Sequence, residues 1–234
     1  PLGRPECMVE NLDRWGADEI LVQVIDRSAR DLGPDFDLLD RLARLGLGTP
    51  LIYGGGIRSV DEGVEAIQRG ADRIALDAVL NDAPDVARAL GIRLGAQALI
   101  AALPMSMVEG VLAKLDYRNG TSVPVSQVLG VSEIRETISE VLVIDWQHEG
   151  IPGGFDDALV RHFPYPGMAL IAFGGISEAQ QMKNLLARPN VVAVAAGNYL
   201  SYREHAIQKI RNGLASSSLR TASYATEYSL RSDV

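Results

Sequence analysis

The stretch Leu51-Ile52-Tyr53-Gly54-Gly55-Gly56-Ile57 returns 119 positions later as Leu170-Ile171-Ala172-Phe173-Gly174-Gly175-Ile176. Each copy is a short apolar run that closes on paired glycines. The flanks match as well. Glu19-Ile20-Leu21-Val22 parallels Glu140-Val141-Leu142-Val143, and Phe36-Asp37 parallels Phe155-Asp156. A repeat spanning about half of the 234-residue chain indicates two fused half-domains, since solenoids repeat every ~20–50 residues.

Seven runs, at 19–25, 51–53, 73–76, 97–103, 140–144, 169–173 and 191–195, are apolar with polar residues mostly at their ends. That is the composition of parallel strands buried on both faces. Between them, 5–12, 36–45, 60–69, 84–90, 178–187 and 203–214 carry apolar residues at helical spacing. Ser59 and Ser177 precede acidic residues and predict helix caps. Alternating strand and helix means a parallel sheet. Two half-barrel repeats closing on each other predict an α/β fold, the (β/α)8 TIM barrel, with its working loops after the strands. Only seven strands are counted, and helix 5–12 leads straight into what should be the second. The first strand is therefore expected to be absent from this chain, or the barrel to have an open seam. Open edges invite pairing, so a homodimer or a donated strand is expected there. Asn119-Gly120, between apolar runs, predicts a hairpin insertion at about 111–125. The barrel is assigned to 1–214. Residues 215–234, rich in Ser and Thr and without period, read as a loosely ordered C-terminal tail.

Composition narrows the function. The chain is 47% hydrophobic and 22% charged, so it can bury a core. A net charge of −8 and a pI near 4.9 exclude nucleic acid and anionic membranes as main partners. The lone cysteine, Cys7, excludes a disulfide framework and fits a reducing compartment. His148, His162 and His205 lack metal-ligand spacing, so no metal and no cofactor are expected. Without a run long enough to span a membrane or an opening signal peptide, the expectation is a soluble, cytoplasmic protein.

Chemistry is expected at the strand ends. Gly55-Gly56 and Gly174-Gly175 each precede a helix, where glycine lets backbone N–H groups approach an anion and the helix dipole favours negative charge. Ala196-Gly197, after the last strand, completes the second site, because the loops after strands 7 and 8 commonly bind phosphate in such barrels. A ligand with a phosphate at each end is the expectation, and turn-making alone is the plainer reading of the same glycines. Asp26, Asp145 and His148 lie near strand ends and are the catalytic candidates, with Glu149 beside His148 as a companion acid.

Asp18-Glu19-Ile20, Pro50–Ser59, Gly70-Ala71-Asp72-Arg73-Ile74, Gly95-Ala96-Gln97-Ala98 and Gly174-Gly175 together resemble the cyclase subunit of imidazole glycerol phosphate synthase. The likeness runs from about Leu2 to Leu214 and includes the hairpin. Two stretches, 26–39 and 193–197, are more similar still to the cyclase-like proteins that accompany sugar amidotransferases in surface-polysaccharide pathways. The resemblance implies a phosphate-binding barrel, of the histidine biosynthesis family, docked to a class-I glutaminase that supplies ammonia. It implies acid/base aspartates on the first and fifth barrel strands. The fifth-strand position is Pro104 here, positions aspartic in the family on strands 2 and 6 are Val24 and Gln147, and an asparagine that faces a phosphate is Asp77. It further implies a charged ring at the barrel floor through which ammonia passes. Glu19, Arg73 and Glu140 match that ring, and Asp72 matches the residue that faces the glutaminase. Charged strand starts would also simply solvate the floor.

A barrel without the family acids but with its ammonia inlet reads as the synthase-side subunit of a glutamine-dependent amidotransferase. Ammonia would reach a phosphosugar or nucleotide-linked sugar, with an ATP-using sugar amidotransferase as a third component. The rivals are a lyase or isomerase acting on a phosphorylated aminosugar, as the synthase-type cyclases do, and a non-catalytic interaction barrel.

Overall fold

A computed structural model describes residues 3–130, 132–197, 199–200, 206–214 and 219–222. Nine strands form one sheet: β1 (Ile20–Gln23), β2 (Leu51–Gly54), β3 (Arg73–Leu76), β4 (Leu99–Val108), β5 (Val111–Asp116), β6 (Thr121–Pro124), β7 (Glu140–Asp145), β8 (Ala169–Phe173) and β9 (Val191–Val194). Seven of them are parallel neighbours in the order β1-β2-β3-β4-β7-β8-β9. The sheet curls into a barrel. Alternate residues of its strands meet inside, where Ile52, Ala75, Ile100, Ala102, Leu142 and Ile171 form one buried cluster joined by Leu21 and Ala193 from the two ends of the order. Among the described residues no strand bridges β1 and β9, so the seam expected from the strand count lies there.

The opposite parity, Leu51, Tyr53, Leu99, Ala101, Val141, Val143 and Leu170, packs against the surrounding helices in the larger core. The helix Phe36–Ala43 shows why such segments are helical. Its Leu38, Leu39 and Leu42 fall on one stripe and are buried, and Asp35 caps it by accepting from Leu38 N at 3.0 Å. Ser59 caps Val60–Gln68 in a full capping box with Glu62, as its spacing predicts. At Ser177 the outcome differs. The helix begins at Ala179 with Glu178 as its flanking residue, and the Ser177 amide donates to the Gln181 side chain instead.

The main departure is β4. It continues through Pro104 to Val108, where the sequence pattern stops at 103. β3 pairs β4 only as far as Leu76 opposite Ala101, so on that side Pro104 has no ladder to break. Above that point β5 takes the vacant side, with Met105 opposite Lys114 while Met105 also faces Asp145 of β7. A second turn, Glu109-Gly110 with both φ positive, joins β4 to β5. The predicted hairpin forms, β5 pairing β6 antiparallel about Asn119-Gly120, and the extension of β4 makes it a three-stranded arm continuous with the barrel that leans over the first half of the mouth.

Residues 219–222 return beneath the barrel. Arg220 donates to Thr49 Oγ1 at 2.6 Å and to the Asp13 carbonyl at 3.0 Å, and its amide donates to Asp18 at 2.7 Å. Residues 219–222 are thus docked, against the expectation of a loose tail, while 215–218 and 223–234 lie outside the described residues. No helix among the described residues is long and apolar enough to cross a membrane.

Candidate functional site

At the barrel floor, Arg73 gathers the predicted ring. Its guanidinium bonds Glu140, reaches Glu19 at 3.3 Å, and donates to Ser139 Oγ at 2.9 Å and the Gln97 carbonyl at 3.0 Å. Its side chain is only 16% exposed, so these charges are screened less than ordinary surface pairs. Asp72 is exposed, but one carboxylate oxygen accepts from Leu51 N at 2.7 Å, which ties it to the start of β2. Glu19, Arg73 and Glu140 therefore close one face of an interior whose walls are hydrocarbon.

At the opposite end the two glycine pairs occupy equivalent places. Gly55 and Gly174 have φ of +130° and +103°, and an added Cβ would sit 2.4 Å from the Val24 carbonyl oxygen or 2.5 Å from that of Asp145. Gly56 and Gly175, at +73° and +66°, are pressed in the same way against the 32–33 and 148–155 loops. Both pairs are thus required by the turn itself, whatever they bind.

What stands in front of them differs. The second pair opens on a cavity of about 100 Å³ bounded by Gly174–Ser177 on one side, by Ala195, Gly197 and Tyr199 on another, and by Glu149 and Ile151 at the rim. Among the described residues no group accepts a hydrogen bond from the Gly175 or Ile176 amides. The helix Ala179–Leu186 starts just beyond them. This is the arrangement that favours an anion. Gly197 lines the cavity, and a Cβ there would lie 2.8 Å from the Phe173 ring. Ala196, named with it from the sequence, packs into the outer core instead.

The first pair opens on about 20 Å³, room for roughly one water. Lys114, 1% exposed, places Nζ 2.9 Å from Asp77 Oδ1 as an ion pair outside hydrogen-bond angles. Tyr117 from the arm faces Asp77 and Ser28. Burial first, and then the Asp77 charge, push its phenol up to about 12, while Ser28 pulls the other way. Lys114 and Tyr117 escaped the sequence reading. Alternation along β5 puts Lys114 on the same face as the buried Leu112, but periodicity does not tell which opening an arm covers.

Of the three catalytic candidates, Asp145 and His148 meet and Asp26 stands apart. Asp26 is on the surface, 3.2 Å from Arg30 in an exposed pair. Asp145 is 1% exposed and on the outer parity of β7. Its carboxylate accepts from Asp156 N at 2.7 Å, from His148 N at 3.3 Å, and faces His148 Nδ1 at 2.8 Å. It therefore braces the 145–156 loop. His148 is held with Nδ1 toward the carboxylate and is partly exposed, beside the cavity but not in its lining, which Glu149 reaches. Pro104, Ile144 and Phe173, none of which can carry a proton, stand in register at the top of the interior. His162 and Cys7 are exposed, and His205 lies outside the described residues.

Comparison with known proteins follows the same lines. The family model described as "Histidine biosynthesis protein" matches residues 2–206. A protein of Vibrio vulnificus, whose assignment as the imidazole glycerol phosphate synthase subunit hisF2 is itself provisional, is 26% identical over 88% of this chain and 76% of its own length. The imidazole glycerol phosphate synthase subunits HisF of Natranaerobius thermophilus and Bacillus pumilus are 23% and 25% identical, each over 91% of this chain and 85% of their own length. A barrel of two glycine-looped halves, matched by that model over nearly its whole length, belongs to the histidine biosynthesis protein family.

Proposed function

We propose that this chain is a HisF-like barrel subunit of a glutamine-dependent amidotransferase. Ammonia released by a class-I glutaminase enters through the Glu19–Arg73–Glu140 floor, crosses the apolar interior, and meets a phosphorylated ligand held at Gly174-Gly175 and Gly197. The acceptor is a phosphosugar or a nucleotide-linked sugar, and an ATP-using amidotransferase completes the amination in a biosynthetic pathway. The working unit is the barrel over 1–214, with 215–234 appended to it. One observation carries this reading: the charged ring sits at one end of a hydrocarbon-packed barrel interior, and an anion-sized cavity bounded by Gly174 and Gly175 lies at the other. Ammonia passes hydrocarbon as the neutral base, so an apolar duct also excludes ammonium and much water.

The test is reconstitution of the full-length chain with a class-I glutaminase from its host, read as co-purification and as stimulated glutamine hydrolysis. The wild type is expected to retain the glutaminase and to raise its turnover at least tenfold. Asp72→Lys or Arg73→Glu is expected to lose both. A wild-type chain that recovers no glutaminase overturns the proposal.

The 2.8 Å contact of His148 with Asp145 supports a second reading, an isomerase or lyase acting alone, because it fixes Nδ1 and leaves Nε2 free to take a proton. Turnover of a phosphorylated aminosugar by the isolated chain, lost in His148→Gln, would favour it over ammonia delivery.

A further inference from the structure

The two glycine sites have the same backbone and different tenants. In the second half the space before the glycines is open, and its closest charged rim residue is Glu149, which is exposed. In the first half the corresponding space is taken by side chains from β3's end and from the arm. Asp77 continues the inward parity of Arg73 and Ala75, so its carboxylate stands in the mouth in front of Gly55-Gly56. Lys114, buried on the arm, is committed to that carboxylate, and Tyr117 closes the top. A phosphate arriving there would meet a carboxylate, would compete for a lysine that already has a partner, and would find room for about one water.

We infer that the ligand of this barrel carries a single recognised phosphate, held at the second half, and that Asp77, Lys114 and Tyr117 are the specificity-determining residues that close the first-half site to anions. The inference rests on the phosphate-binding part of the proposed function and narrows its substrate class. A two-ended bisphosphate loses its second anchor, and the far end of the ligand lies toward the mouth, where a neutral or sugar-like group meets Tyr117 and the Asp77–Lys114 pair. The arm itself is what makes the difference, because it reaches the mouth only where β4 outruns β3.

The experiment titrates the full-length chain with fructose monophosphate and fructose bisphosphate, by calorimetry and by phosphorus NMR. The expected result is one site for each, affinities within about threefold, and a shift of only one of the two bisphosphate resonances. Gly197→Ala, whose methyl enters the cavity against Phe173, is expected to weaken both probes tenfold or more together. Bisphosphate bound at least tenfold more tightly, or both of its resonances shifting, overturns this inference and leaves the phosphate-binding barrel standing. Absence of binding by either probe overturns both together. The wild-type measurement needs no variant, so a misfolded Gly197→Ala protein does not weaken the test.

Discussion

At Gly55 and at Gly174 the backbone is bent alike, each with positive φ and each with a carbonyl oxygen 2.4–2.5 Å from where a side chain would begin. Yet one glycine pair faces about 20 Å³ and the other about 100 Å³. The halves share their architecture because the turn geometry is a matter of main-chain sterics, which a duplicated sequence preserves. They differ because the space beyond the turn is filled by whichever side chains neighbouring segments send into it. Only the first half lies under the arm.

The largest expected effect breaks the plug. Lys114→Met leaves the Asp77 carboxylate buried without its cation and is expected to cost about 3–5 kcal/mol. Adding Asp77→Asn to it removes the stranded charge and is expected to return most of that loss. Urea denaturation of the two variants decides. Equal instability would mean that Lys114 stabilises through packing alone, and the contrast between the halves would lose its electrostatic cause.

Next come the turns. Gly55→Ala and Gly174→Ala are each expected to destabilise by about 2–4 kcal/mol, since both add strain and a clash with fixed backbone. Stability should respond symmetrically while anion affinity falls only in Gly174→Ala. A Gly55→Ala protein that folds but loses phosphate binding would show that the first half is in use. Asp145→Asn, which disturbs the brace on the 145–156 loop, is expected to cost about 1–3 kcal/mol.

The mouth also predicts a pH dependence. The phenol of Tyr117 titrates near 12, above the ~10 of an unfolded tyrosine. A group whose folded value is raised favours folding fully below its unfolded value. That contribution is lost as pH rises through the folded one. Stability is therefore expected to decline between pH ~10 and ~12 more steeply in the wild type than in Tyr117→Phe, measured by thermal melts across that range. Parallel curves would place the phenol in solvent and reopen the first-half site.

Much of this was legible in the residues. Six of the seven parallel strands fall within a residue or two of the apolar runs, β4 alone overrunning its run by five, because a strand buried on both faces leaves an uninterrupted apolar signature. The repeat located the glycine turns, and the family resemblance pointed to Glu19, Arg73 and Glu140 at the floor. Two things were not legible. Pro104 reads as a strand end, yet β4 passes through it because its neighbour stops first, a fact about pairing and not about propensity. And Asp145 at a strand end reads as an active-site acid, yet its parity turns it outward to serve three donors, since one residue's register decides which face it occupies.

That same register separates the two aspartates that sequence position alone puts on a par. Asp26 follows β1 as Asp145 ends β7, and each precedes the loop that packs on the second glycine of its half. Asp26, however, sits in solvent on a one-turn helix, and its partner Arg30 is 70% exposed. Exposed pairs of this kind contribute ~0–1 kcal/mol, and the carboxylate touches neither mouth. Asp26→Asn is therefore expected to change stability by less than about 0.5 kcal/mol and to leave glutaminase stimulation and phosphate affinity at wild-type levels. Loss of either activity in a protein with an unchanged melting temperature would assign Asp26 a chemical role, and would mean that the first half works through its loop and not through its plugged mouth.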